Sequence, residues 1–191
     1  LIALPEGGGR LAAVASDAHH LAVLPNQSLC HAPIREFDDP IELQQKLEVP
    51  LAPDEIAHRD GGGAGKVPYL EGWRAIDKAH KIFGFDGWSS KIVELKREYE
   101  EQNKSTQRWS TGYSAIVRVE LKDGTYHEDA GFGSCINEKD RGKAIENSRK
   151  EAVTDGVKRA LRCFGAALGN SVYDKQHVKL TTGRRPAVPA A

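Results

Sequence analysis

The chain has 191 residues and is 39% hydrophobic, enough for one domain with a sizeable core. Its 27 basic and 27 acidic residues cancel, but residues 139–185 carry a net +7 and leave −7 to the remainder. Neutrality therefore does not exclude a polyanionic partner, whereas no apolar run approaches the ~20 residues of a membrane-spanning helix, so no membrane partner is expected.

Residues 1–36, rich in Ala, Gly, Leu and His without a period, are expected to form a flexible tail. The chain opens on Leu1 and contains no Met, so its natural start is expected to lie upstream. Asp39-Pro40 can cap a short helix with Leu43 and Leu47 on one side, ended by Pro50 and Pro53. Asp60-Gly-Gly-Gly-Ala-Gly-Lys66 reads as a flexible loop. A helix is expected from Pro68 to about Phe83, with Tyr69, Trp73, Ile76 and Phe83 on one face and Gly84 as its stop. Trp73 and Phe83 are assigned to the core and Tyr69 to the surface.

Three strand signals follow. The first runs from Trp88 to about Tyr99. In the second, Thr111 to Leu121, alternation sends Tyr113, Ala115, Val117, Val119 and Leu121 to one face. Lys122-Asp123-Gly124-Thr125 forms a hairpin turn, because Gly supplies positive φ, and the third strand returns from Thr125 to Phe132. The segment from Asn137 to Lys175 reads as one long helix that packs an apolar stripe of Val153, Val157, Ala160, Leu161 and Phe164 on this meander. The fold class is α+β: helix, three-stranded antiparallel meander, long packed helix. Residues 180–191 are expected to be a disordered tail.

At ~100° per residue, Arg162 and Arg159 lie about 40° and 100° from Lys158, so three cations share one side of that helix. Such a face suits a polyanion such as nucleic acid. It equally suits a solvated surface laced with ion pairs, and Asp155 stands four residues before Arg159. The glycine loop fails as a phosphate loop, since Asp60 holds the first glycine position and Val67 follows Lys66. Gly131-Phe-Gly133 lacks the third glycine of a dinucleotide fingerprint and is expected to mark a strand end or bulge. Gly165 and Gly169 are read as helix terminators, with close packing as the alternative. His127-Glu128-Asp129 alternates across a strand and forms no catalytic group. Cys30, Cys135 and Cys163 have no metal-ligand spacing, and His19-His20 stands without further ligands. No cofactor, metal or catalytic residue is expected.

Four blocks in order carry a resemblance: Val67-Pro-Tyr-Leu-Glu-Gly-Trp-Arg74, Ile82-Phe-Gly-Phe-Asp-Gly-Trp-Ser89, Val117-Arg-Val-Glu-Leu-Lys-Asp-Gly-Thr-Tyr-His-Glu-Asp129 and Arg149-Lys-Glu-Ala-Val-Thr-Asp-Gly-Val-Lys-Arg-Ala-Leu-Arg162. Between about Ile41 and Lys179 the sequence resembles the N-terminal domain of the Rad-fifty-two family, eukaryotic recombination mediators that anneal complementary single strands. The resemblance implies a β-β-β-α core, over residues 37–179, that assembles into a ring with a basic outer groove. It implies single-stranded DNA in that groove, double-stranded DNA and RNA as further partners, and a nuclear location. The family's inner-groove residues fall on Arg59, Tyr69, Lys150, Lys158, Arg159 and Arg162. Its outer-site residues fall on Arg108 (where the family member aligned carries Lys), Lys139, Lys175 and Lys179. Ala166 departs from the family's usual Asn. The family's recombinase and single-strand-binding-protein partners are expected to bind segments absent from this sequence.

The resemblance therefore implies a non-enzymatic, single-strand DNA-annealing protein acting in homologous recombination and double-strand break repair. Its rivals are an RNA-binding or RNA–DNA annealing module and a metal-dependent nuclease.

Overall fold

The computed structural model describes residues 34–61 and 65–183. Most of the expected N-terminal tail (with His19, His20 and Cys30), the middle of the glycine loop and residues 184–191 lie outside them. Helix α1 is Pro40–Glu48, capped by Asp39, whose side chain accepts from the Glu42 N–H; Leu47 is buried and Leu43 half-buried, as expected. Strands β1 (Ala57–Asp60) and β2 (Lys66–Tyr69) form a small antiparallel hairpin. Helix α2 follows over Gly72–Phe83. Strands β3 (Trp88–Gln102), β4 (Trp109–Leu121) and β5 (Tyr126–Glu138) form an antiparallel sheet in the order β3-β4-β5. Helix α3 covers Arg141–Arg162, and α4 covers Lys175–Gly183.

The meander and its covering helix agree with the sequence pattern. Ala115, Val117, Val119 and Leu121 are buried against α3 and its neighbours, and Gly124 takes φ 85° in the predicted turn. Four expectations fail for physical reasons. Pro68 opens no helix: it pairs with His58 in β2, and its missing N–H is tolerated in a two-stranded ribbon. On α2 the buried face is Ala75, Ala79 and Phe83, while Trp73 is 62% exposed and Ile76 39% exposed, so Trp73 is not core. The long helix stops at Arg162. Two 3₁₀ turns (Ala166–Leu168 and Asn170–Tyr173) intervene before α4. Gly169 takes φ 112° there, and a Cβ on Gly165 would come 2.6 Å from the Leu47 carbonyl, so one glycine terminates and the other permits close packing.

The fourth correction is the most consequential. Gly131 and Gly133 mark neither a strand end nor a bulge. They pair in regular register with Ala115 and Tyr113 in the middle of β5, which runs six residues past the expected end at Phe132. A Cβ on Gly131 would collide with Ala152 O and Gly156 N, and one on Gly133 with Ser148 O and Ala152 N. Helix α3 therefore rests its backbone on β5. It does so through a ladder of small residues at every fourth position, Ala144, Ser148, Ala152, Gly156 and Ala160, all buried. Thr111 ties the same contact by donating to the Ala144 carbonyl at 2.9 Å, with Ser148 Oγ 2.8 Å away.

Glycine inside a strand ordinarily costs roughly 0.5–1 kcal/mol relative to alanine. Gly131→Ala should therefore stabilise an open strand slightly. Here it is expected to destabilise by about 3 kcal/mol or more, because overpacking meets backbone that cannot yield. The midpoint of urea unfolding measures this; an unchanged midpoint would refute the close approach.

Candidate nucleic-acid interface

Two segments far apart in sequence face each other across a cleft. One wall is the side of α3 that carries Lys158, Arg159 and Arg162. The other is the β1–β2 hairpin, with Arg59, Val67, Pro68 and Tyr69. The floor at one end is the 3₁₀ segment, where Gly169, Val172 and Tyr173 contribute. The corner after β2 sits directly on α3, since a Cβ at Gly72 would come 2.8 Å from Thr154 Cγ2. This cleft encloses about 130 Å³. A second hollow of about 440 Å³ continues along α3, sharing Arg59, Asp155 and Lys158 and adding Asn147, Lys150, Thr154 and Phe132. All six predicted inner-groove residues thus line one continuous side of the molecule.

The electrostatics of the cleft are ordered by rings and carboxylates. The half-buried Tyr69 ring has Arg59 5.7 Å from its centroid and Lys158 5.9 Å from it, within cation–π range. Tyr69 therefore joins the two walls. Arg162 lies 4.8 Å from the centre of the Tyr173 ring and donates to its hydroxyl at 2.5 Å. Arg159 and Arg162 both pair with Asp129 on β5, at 3.2 and 3.3 Å. That hydrogen bond from Arg159 to Asp129 raises the arginine pKa above its ordinary value. Asp155 pairs with Lys158 at 3.8 Å, not with Arg159 as helical spacing suggested. Arg59 and Lys150 are exposed and make no ion pair among the described residues.

Among the described residues, the cluster is thus part ion-paired and part unpaired. Asp129 and Asp155 pair with three of its cations, Lys158, Arg159 and Arg162. Five cations, Arg59, Lys150, Lys158, Arg159 and Arg162, meet three acids, Asp129, Glu151 and Asp155. Tyr173 and Asp129 were not identified from sequence as parts of this site. Tyr173 falls inside the expected long helix, about three turns from Arg162, and only the 3₁₀ turn brings it back to that residue. Asp129 could have been found from its place on the strand face that α3 covers.

The four outer-site residues do not converge. Arg108 donates to the Asn137 carbonyl at 2.8 Å, so it and Lys139 stand near the start of α3. Lys175 and Lys179 lie on α4, past the end of α3. The 22-residue α3, about 33 Å long at ~1.5 Å per residue, lies between the two pairs in the chain. Among the described residues no three His, Cys, Asp or Glu side chains cluster as a metal site, and no helix is long and apolar enough to cross a membrane.

Comparison with known proteins agrees with this geometry. The Rad52/22 family double-strand break repair protein pattern matches residues 39–187. The chain is 44% identical over 166 residues to DNA repair and recombination protein rti1 of Schizosaccharomyces pombe, covering 86% of this chain and 43% of that protein. It is 45% identical over 144 residues to rad22 of the same yeast, covering 75% and 31%. It is 44% identical over 134 residues to RAD52 of Saccharomyces cerevisiae, covering 70% and 28%. The sequence thus spans less than half the length of each of these relatives. A match across most of the chain, joined to the β-β-β-α core, shows that the protein belongs to the Rad52/22 family of double-strand break repair proteins.

Proposed function

We propose that this chain binds single-stranded DNA along α3 and anneals complementary strands during homologous recombination and double-strand break repair in the nucleus. One observation carries the reading. Arg59 and Tyr69 are separated from Lys150, Lys158, Arg159 and Arg162 by some eighty residues or more, yet they line the two sides of one groove. Phosphates of a single strand meet the cations, which leaves the bases available for pairing. The family's named members are DNA repair and recombination proteins, which supports the same reading. A metal-dependent nuclease needs converging free carboxylates, whereas Asp129 and Asp155 are held by the cations of α3. Arg108 and Lys139, with Lys175 and Lys179 at the far end of the helix, form further contacts for DNA. They act together where neighbouring subunits bring opposite ends side by side.

Binding to labelled single strands should weaken steeply with salt, with a slope of ~0.7 per phosphate contact. Lys158→Ala combined with Arg59→Ala should lower that slope by about 1.4 while the helical circular-dichroism signal is retained. An unchanged slope in the folded double variant would return these residues to a solvated face. Competition with a matched RNA strand distinguishes DNA from RNA preference.

Assembly is the second part of the proposal. The outer strands of the sheet leave Ile92 and Val93 on β3 and Phe132 and Ile136 on β5 about half exposed or more. Two unlike apolar edges suit a heterologous, ring-closing interface more than a two-fold one. A ring would join the grooves into one track and give a long strand avidity. Light scattering at micromolar concentration is expected to report a large closed oligomer of residues 37–179, with residues 1–36 dispensable. A monomer that anneals strands at full rate would contradict it.

A further inference from the structure

Among the described residues, Asp129 is the one carboxylate that pairs with two cations of the groove, and it does so from the sheet. Its Oδ1 accepts from the Ala130 N–H at 2.8 Å and from Arg159 Nε at 3.2 Å; its Oδ2 accepts from Arg162 Nη2 at 3.3 Å. The carboxylate is 21% exposed and is not among the residues that line the cleft, whereas both arginines are. It therefore holds the guanidiniums from outside the lining of the cleft. We propose that Asp129 is a positioning residue for strand binding: it anchors Arg159 and Arg162 to β5 so that their outward nitrogens are presented together to the DNA backbone.

The geometry favours this role over that of a competitor for the phosphate. Arg159 meets Asp129 through Nε, the nitrogen nearest its stem, which leaves its terminal nitrogens unused by the carboxylate. Arg162 is held at two points, by Asp129 through Nη2 and by the Tyr173 hydroxyl through Nη1. Two arginines three residues apart on a helix are neighbours of like charge, and each loses side-chain freedom when it grips a phosphate. A carboxylate between them offsets the repulsion and fixes both side chains before DNA arrives, which reduces the ordering cost of binding. Asp129 is not needed to seat α3, because the glycine contacts at Gly131 and Gly133 and the small-residue ladder already do so.

The inference rests on the single-strand-binding reading and makes a prediction opposite to charge counting. Asp129→Asn removes a negative charge beside a polyanion site, so electrostatics alone would tighten binding. Positioning predicts that a labelled oligothymidylate binds about three- to tenfold more weakly. The charge-conserving Asp129→Glu displaces the carboxylate by one methylene and should weaken binding by less. In an Arg159→Ala/Arg162→Ala background, Asp129→Asn should produce no further weakening. Thermal unfolding followed by circular dichroism checks that each variant is folded, and if the Asn variant fails to fold, the Glu variant carries the comparison. Equal or tighter binding by the folded variant overturns the inference, as does an undiminished effect when both arginines are absent. A wild-type protein that binds no single strand would instead overturn the proposed function, and this inference with it.

Discussion

The contact between the backbone of α3 and the middle of β5 is the constraint on which the rest of the molecule depends. Gly131 and Gly133 have no side chains because the helix occupies that space, and the helix answers with small residues at every fourth position. Helix–sheet packing at this distance leaves little apolar side-chain volume between the layers. Stability at this point comes from close-packed backbone and from the buried Thr111–Ser148 hydrogen bond. The larger side chains, Leu51, Leu161, Leu168 and Phe83, gather in a separate cluster at the other end, under α1 and α2. The rigidity of that seat sets where the functional face of α3 points.

From this seat the site follows. The same helix that turns Gly156 toward Val117 brings Lys158, Arg159 and Arg162 to the cleft, with both arginines reaching Asp129 at the edge strand β5. The β1–β2 hairpin rests on α3 through Gly72 and brings Arg59 and Tyr69 opposite. Aromatic rings then serve as spacers between cations. Tyr69 lies within reach of Arg59 and Lys158, and Tyr173 lies against Arg162. A row of cations held on rigid elements suits a regularly spaced polyanion better than long side chains on mobile loops would.

Much of this was legible in the sequence where local chemistry decides. The Asp39 cap, the alternation of β4 and the Asp-Gly turn each express a local rule, and each holds in the structure. The cation arc on α3 was legible for the same reason, since helical geometry alone places it. What was not legible depends on tertiary contact. Trp73 lies outside the core because the buried face of α2 runs through Ala75, Ala79 and Phe83 instead. The end of α3 at Arg162 is set by the approach of Gly165 to α1 and by the left-handed Gly169, neither of which a periodic pattern reveals. Gly131 and Gly133 look like strand breakers in isolation and become essential only once a helix lies on them. In the site, the convergence of Arg59 and Tyr69 with α3 came from resemblance, because no spacing rule links residues so far apart, and Asp129 and Tyr173 emerged only from the folded chain.

The central claim is that this groove presents single strands for pairing. The most direct measurement is the rate at which two complementary strands, labelled with a donor and an acceptor dye, form duplex when the purified chain is added with magnesium and no nucleotide. The account predicts duplex formation well above the spontaneous rate, suppressed by high salt, with both strands recovered at full length. Tight binding that leaves the pairing rate unchanged, or strands recovered shortened, would contradict it.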